Sequence, residues 1–196
     1  MKNEIIDSFS ITEDTKYWFK ETGVKFLQEV GIQQGQVILD FGCRIGNYTI
    51  PAAISVGDKG KVYALDSNHE AIDVLMTFSN KLGLNNIIVP LKTRGELTID
   101  LETSSVDHVM LYDVIHLVVN IDGSLEPTIK LFQEIQRVLK DGGIFTASFE
   151  HLEATSLDFE DIMTVLKRLL SFKRKISTEI LHWDRLRYGD IYLFEK

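Results

Sequence analysis

Hydrophobic positions along this chain switch between two spacings. Five short runs are nearly continuous in apolar residues: 37–40 (VILD), 61–66 (KVYALD), 87–91, 106–115 and 144–149. Runs of that kind, bounded by turn signals, predict strands buried on both faces, as in a parallel sheet. Between them the spacing becomes helical. Residues 68–82 align Ala71, Ile72, Leu75, Phe78 and Leu82; residues 125–139 align Leu125, Ile129, Phe132, Ile135, Val138 and Leu139; residues 156–170 align Phe159, Ile162, Met163, Leu166, Leu169 and Leu170. Another helix ends over Pro51 to Val56, and residues 1–35 read as helical, with Thr12-Glu13-Asp14-Thr15 as a start signal and Gly31 and Gly35 as the close. Gly57-Asp58-Lys59-Gly60, Gly83-Leu84-Asn85-Asn86 and Asp141-Gly142-Gly143 punctuate the pattern, and Pro90 marks the third strand as irregular or at an edge. Residues 173–196 alternate in places around Tyr188-Gly189-Asp190, which predicts a closing hairpin.

Strands alternating with helices predict an α/β fold, doubly wound, with a mostly parallel seven-stranded sheet and a C-terminal antiparallel hairpin. The 196 residues fit one domain. Residues 1–35 are assigned as an N-terminal helical lid and residues 36–196 as the ligand-binding sheet. Tyr17, Trp18 and Phe19 are the aromatics best placed to cover the crevice, with the core as their alternative destination.

Composition narrows the function classes. A formal net charge of −8 argues against a general grip on nucleic acid, which needs a basic surface. The one local exception, residues 167–187 with seven lysines and arginines, reads first as a solvated face. Cys43 is the only cysteine, so no intramolecular disulfide forms, a cysteine-based metal centre is disfavoured, and no metal site is expected. No apolar run reaches membrane-spanning length, and the first residues lack a signal-peptide stretch, so a cytoplasmic protein is expected.

Ligands of doubly wound sheets sit at the carboxyl ends of the strands. That rule gathers Asp40 to Gly46, Asp66 to Asn68, Thr93 to Glu96, Tyr112 to His116 and Glu150-His151. In VILDFGCRIGNYT, residues 37–49, a strand passes through a glycine turn into a helix, which aims backbone N–H groups into the crevice. The turn lacks the G-x-G-x-x-G of dinucleotide folds. It has instead Asp40 at the strand end and glycines four apart, suited to a cofactor with a cationic amine beside a nucleoside, and Asp66 lies twenty residues past Gly46, where a carboxylate accepts ribose hydroxyls.

With these features in place the chain resembles the class I S-adenosylmethionine-dependent methyltransferases, in the style of the small-molecule group of ubiquinone and menaquinone biosynthesis. VILDFGCRIGNYT resembles the family's first motif, YALDSN its ribose-binding acid, SVDHVMLYDVIH its fourth strand and RVLKDGG the turn before its fifth, all within about residues 35 to 150. The resemblance implies a Rossmann-like methyltransferase fold with S-adenosyl-L-methionine as cofactor. Asp40, Gly42 and Gly46 would contact its methionine part, Asp66 the ribose, and residues around Arg94 to Glu96 the adenine, with Glu96 as the candidate contact. Ser67 and Tyr112, at the same strand ends, complete the cofactor set.

Two positions depart from the family. Arg44 stands where glycine is usual, in a turn that favours positive φ; it turns outward, reaches the cofactor carboxylate, or marks weakened binding. Arg94-Gly95-Glu96 replaces the usual Gly-Asp or Asp-Gly. For the transfer, an in-line nucleophile needs no obligatory catalyst. An acceptor that must lose a proton would use His116 or His151 as base, with Asp113 or Glu150 orienting it. Each has a structural alternative: Asp113 as a cap, His116 as packing, Glu150-His151 as a polar strand end. His182 and Trp183, in the hairpin, read as structural. No Asn-Pro-Pro-Tyr-type motif follows the fourth strand, which disfavours an exocyclic amine of nucleic acid or glutamine, and with no large insertion after the fifth strand to shape an acceptor pocket the expected acceptor is a small molecule. A catalytically silent binding or regulatory protein on the same fold is the alternative that Arg44 motivates.

Overall fold

The fold is described from a computed structural model, which describes residues 2–118, 124–155 and 157–196. Seven strands form one sheet: β1 Val37–Phe41, β2 Lys61–Asp66, β3 Ile88–Lys92, β4 Val106–Tyr112, β5 Leu139–Ser148, β6 Ser171–His182 and β7 Arg185–Glu195. Their order is β3-β2-β1-β4-β5-β7-β6. The first five pair in parallel, and β7 runs antiparallel to both β5 and β6, so it alone is reversed. The predicted architecture is borne out, with β3 and its Pro90 at an edge. The order reverses between β1 and β4, where a crevice opens at the carboxyl ends.

Side-chain alternation along the strands feeds two cores. On one face, Ile38 and Met110 pack with Ile50, Ala53, Ile72 and Leu75, from α4 Thr49–Val56 and α5 His69–Leu82. On the other, Leu39, Val109 and Leu111 pack with Phe132, Ile135, Ile162 and Leu166, from α7 Glu126–Val138 and α8 Phe159–Leu169. A period of two thus serves both layers. Helix α5 begins where the Asn68 side chain accepts from the Ala71 N–H at 3.0 Å and ends at the left-handed Gly83.

The N-terminal segment folds as α1 Lys2–Asp7, α2 Glu13–Tyr17 and α3 Gly23–Glu29, with a π-helical turn over Trp18–Thr22. Thr12 caps α2 as its sequence predicts. Trp18 and Phe19 are fully buried in the first core, and the Trp18 indole N–H donates to the Asn47 carbonyl at 2.8 Å. Burying two such rings contributes on the order of 4–6 kcal/mol before the entropy of ordering them. These helices pack against α4, α5 and the hairpin.

Four local expectations are corrected. Strand β4 stops at Tyr112, not residue 115, because Asp113 adopts φ 55° and turns the chain into α6 Ile115–Val118. Asp141-Gly142-Gly143 is not a turn ahead of the fifth strand but an irregular stretch inside it: β5 already pairs at Val106–Leu139, the register shifts, and Gly142 and Gly143 bond with Lys196. The hairpin turns at Trp183-Asp184, because Tyr188-Gly189-Asp190 continues β7 opposite Ser177–Glu179. Helix α8 starts at Phe159, capped by Asp158, while Ser156 lies outside the described residues. The basic stretch at 167–187 is partly paired with acids, through Lys173–Glu195 at 3.1 Å, Lys175–Asp190 at 2.9 Å and Arg187–Glu150 at 2.6 Å.

Candidate active site

A cavity of about 650 Å³ lies at the carboxyl ends of β1, β2, β4 and β5, closed on one side by the hairpin end of β6. Small-molecule sites commonly have that size. It runs from Asp66 and Ser67 past Asp40 and Gly42 to Tyr112, Asp113, His116 and His182.

Its floor is the turn after β1. The Gly42 and Cys43 N–H groups both donate to the Leu65 carbonyl, at 2.8 and 3.1 Å, which ties the turn to β2. Gly42 has φ 82°, and a Cβ there would stand 2.3 Å from a Val114 methyl. Gly46 has φ 95°, and its Cβ would meet Leu75 of α5 at the same distance. Gly42 lines the cavity, whereas Gly46 does not: it permits the close approach of α5 behind the turn. Arg44 takes the left-handed conformation its glycine-like position demands, with φ 47°. Its side chain lies over the Trp183 ring, 4.6 Å from the centroid, at the rim of the cavity. Left-handed backbone costs a non-glycine residue about 1–2 kcal/mol, and the cation–π contact offsets about 0.5–1 kcal/mol of that.

The acids sit as the strand ends require. Asp66 is buried, its two oxygens accepting from the Arg44 and Asn68 N–H groups at 2.7 Å each. Asp40 is buried and accepts from the Thr49 hydroxyl at 2.5 Å. Burial pushes its carboxyl up to about 7, against the lowering effect of the Thr49 hydrogen bond, with the Asp66 charge raising it further. Glu96, at the outer wall, accepts from the Thr93 hydroxyl and the Arg94 N–H at 2.7 Å each, and these bonds hold its carboxyl below the usual range. The Tyr112 ring faces the cavity while its hydroxyl turns inward to Thr146 at 2.7 Å, and Thr146 meets His108 at 2.9 Å. Burial drives the His108 pKa down to about 3, so that ring is neutral in the fold.

At the other end three histidines surround Asp113. His182 Nε2 is 3.1 Å from Asp113 Oδ2, and His116 Nδ1 and His151 Nε2 are 3.5 and 3.8 Å from Oδ1. The Nε2 atoms of His151 and His182 are 3.0 Å apart. Burial, then the Arg187 charge, lowers the His182 pKa. Asp113 Oδ1 and His116 Nδ1 are buried with no hydrogen bond among the described residues. His116 lines the cavity; His151 is not among its lining residues and meets it through His182. The Asp113 backbone N–H donates to Ser148 Oγ at 3.0 Å, which ties the end of β4 to the end of β5. His182, Trp183, Asn47 and Tyr48 also line the cavity, and nothing local in the sequence singled them out. Asn47 Nδ2 donates to the Trp183 carbonyl at 2.6 Å and the Tyr48 hydroxyl to Leu181 at 2.9 Å, so the glycine turn and the hairpin hold one another. His182 and Trp183 are thus parts of the site as well as of the hairpin.

A seven-stranded sheet with one reversed strand and a crevice at its switch point defines a doubly wound α/β protein with a ligand-sized cleft at its strand ends. The chain belongs to the methyltransferase-domain family, whose pattern matches residues 32–184. It is similar to a SAM-dependent methyltransferase of Aquifex aeolicus, with a TM-score of 0.69 and 24% identity over 99% of this chain and 97% of that one. Over 64 residues it is 38% identical to "Probable cobalt-precorrin-6B C(15)-methyltransferase (decarboxylating)" of Saccharolobus solfataricus, covering 32% of each chain. Over 177 residues it is 24% identical to the demethylmenaquinone methyltransferase of Oceanobacillus iheyensis, covering 87% of this chain and 69% of that one. The match spans 32%, 58% and 32% of the lengths of the first three curated relatives. S-adenosylmethionine is the methyl source that the family implies. No helix among the described residues is long and apolar enough to cross a membrane.

Proposed function

We propose that the protein transfers the methyl group of S-adenosyl-L-methionine to a small-molecule acceptor bound at the Asp113 end of the cavity. The observation that carries this reading is one continuous cavity with two buried acids, Asp40 and Asp66, at its cofactor end and a carboxylate–imidazole cluster at its other. The cofactor end suits the proposed ligand. Asp40 is a buried carboxylate in want of a cation, and the Asn47 Oδ1 acceptor is buried without a hydrogen-bond partner among the described residues. A cationic amine answers both. Asp66 keeps free lone pairs on each oxygen for the ribose hydroxyls. Ser67 and the ring of Tyr112 line the space between, and the loop carrying Glu96 borders the adenine end.

Bound there, the sulfonium would supply a methyl group already activated for transfer. The chain's own part is to orient and to manage protons. An acceptor that must be deprotonated meets His116 as base, with Asp113 orienting that ring and stabilising its cation. His151 would act only through His182. Calorimetric titration of S-adenosylmethionine and S-adenosylhomocysteine tests the reading: one saturable site is expected, and absence of binding of either at about 1 mM removes it in favour of a silent relative.

A further inference from the structure

Three ligand atoms converge beside the cavity: Asp113 Oδ2, His151 Nε2 and His182 Nε2, one each from the end of β4, the end of β5 and the end of β6. His182 Nε2 stands 3.1 Å from the carboxylate oxygen and 3.0 Å from the other imidazole nitrogen. A ring nitrogen has a single in-plane position for a proton or a lone pair, so a proton satisfies at most one of these two short contacts. A cation between the three atoms satisfies both. With metal–nitrogen and metal–oxygen bonds of about 2.0–2.2 Å, neighbouring ligands of a tetrahedral or octahedral ion stand roughly 3–3.5 Å apart; the two contacts of His182 have that spacing, and His151 Nε2, 3.8 Å from Asp113 Oδ1, closes the third side with a small shift of its ring.

The surroundings agree. Asp113 is held in a left-handed conformation, φ 55°, and so is His151, φ 62°. Both depart from the usual backbone of non-glycine residues, and such departures concentrate at ligand-binding positions. Asp113 Oδ1 has no hydrogen bond among the described residues, His116 Nδ1 lies 3.5 Å from it, and Glu153 lies 3.8 Å from His151 Nδ1, which leaves the cluster with supporting groups around it. Arg187, the nearby cation, is engaged by Glu150 at 2.6 Å.

We propose that Asp113, His151 and His182 bind one divalent first-row transition-metal ion of the zinc class. Two imidazoles and one carboxylate suit such an ion, whereas magnesium and calcium prefer oxygen alone. Asp113 and His182 line the cavity, so the remaining coordination positions open toward it. On the assignment of the cavity above, an ion there holds an acceptor through an oxygen atom and favours its deprotonated form. The sequence spacing hides the site, because its ligands stand 38 and 31 residues apart.

Protein freed of metal by chelator and titrated with Co²⁺ tests the proposal through the visible ligand-field absorption of the bound ion, with Zn²⁺ as competitor. One saturable equivalent is expected, displaced by Zn²⁺ and not by millimolar Mg²⁺. His182→Ala and His151→Ala should each weaken Co²⁺ binding by more than the roughly 10–100-fold that loss of a supporting residue costs, and His116→Ala by no more than that. His182→Gln keeps the side-chain volume, and loss of its Co²⁺ spectrum with an unchanged thermal melt supports the site. Failure of the wild-type protein to bind one equivalent overturns the proposal, as does wild-type affinity in both alanine variants. Titration of S-adenosylhomocysteine into the metal-free protein reads the cofactor assignment separately, so the two can fail independently.

Discussion

The two ends of the cavity are built differently. At the end proposed for the cofactor most polar groups find partners within the protein: Asp66 accepts two backbone N–H groups, Gly42 and Cys43 donate to β2, and Asp40 is bonded to Thr49, with Asn47 Oδ1 the exception. At the other end Asp113 Oδ1 and His116 Nδ1 are buried without hydrogen bonds among the described residues, and three imidazoles crowd one carboxylate. The first end is shaped in advance by short-range turn chemistry. The second holds groups whose needs a ligand, an ion or a proton completes, and unsatisfied polar groups cost stability unless function retains them.

Substitutions can break that contrast, beginning with the turn. Gly42→Ala combines φ 82° with a clash against a β-branched methyl that cannot swing away, and should destabilise the fold by about 3 kcal/mol in urea denaturation. Gly46→Ala should cost less, since it meets the flexible end of Leu75. Equal effects would mean that the two glycines do not differ as described. Asp66→Ala should weaken S-adenosylhomocysteine binding by roughly 10–100-fold, the worth of charge-assisted hydrogen bonds to both ribose hydroxyls. An unchanged dissociation constant by calorimetry would refute the ribose assignment.

Asp40 supplies a pH signature. Its folded pKa is raised to about 7 by burial, above the unfolded carboxylate value, so the ligand-free fold binds the extra proton and loses stability as pH rises from about 4 to 7. A cationic amine prefers the ionised form. Affinity for S-adenosylhomocysteine should therefore fall by up to about tenfold per pH unit below 7, and Asp40→Asn should flatten that slope. A slope retained in the variant would place the titrating group elsewhere. Arg44→Gly is the smallest effect: relief of left-handed strain and loss of the Trp183 contact nearly cancel, leaving stability within about 1 kcal/mol of wild type. A larger fall in cofactor affinity than in stability would show that Arg44 serves the ligand.

The sequence by itself determined the layered architecture, since apolar runs and helical spacings are local records of which face each residue must bury. The same locality placed Asp40, Gly42 and Asp66 together at one end of the cavity, since they lie within one strand, one turn and one crossover. Only the tertiary structure decided the rest. Gly46 serves packing against Leu75, the hairpin turns at Trp183-Asp184, and Trp18 and Phe19 go to the core, because each outcome depends on a neighbour far away in the chain. The clearest case is His182, which a strand of twelve residues carries back to Asp113 and His151, so that a histidine with no local motif meets two strand ends. Strand length and sheet order, which no local pattern encodes, bring those three side chains to one point.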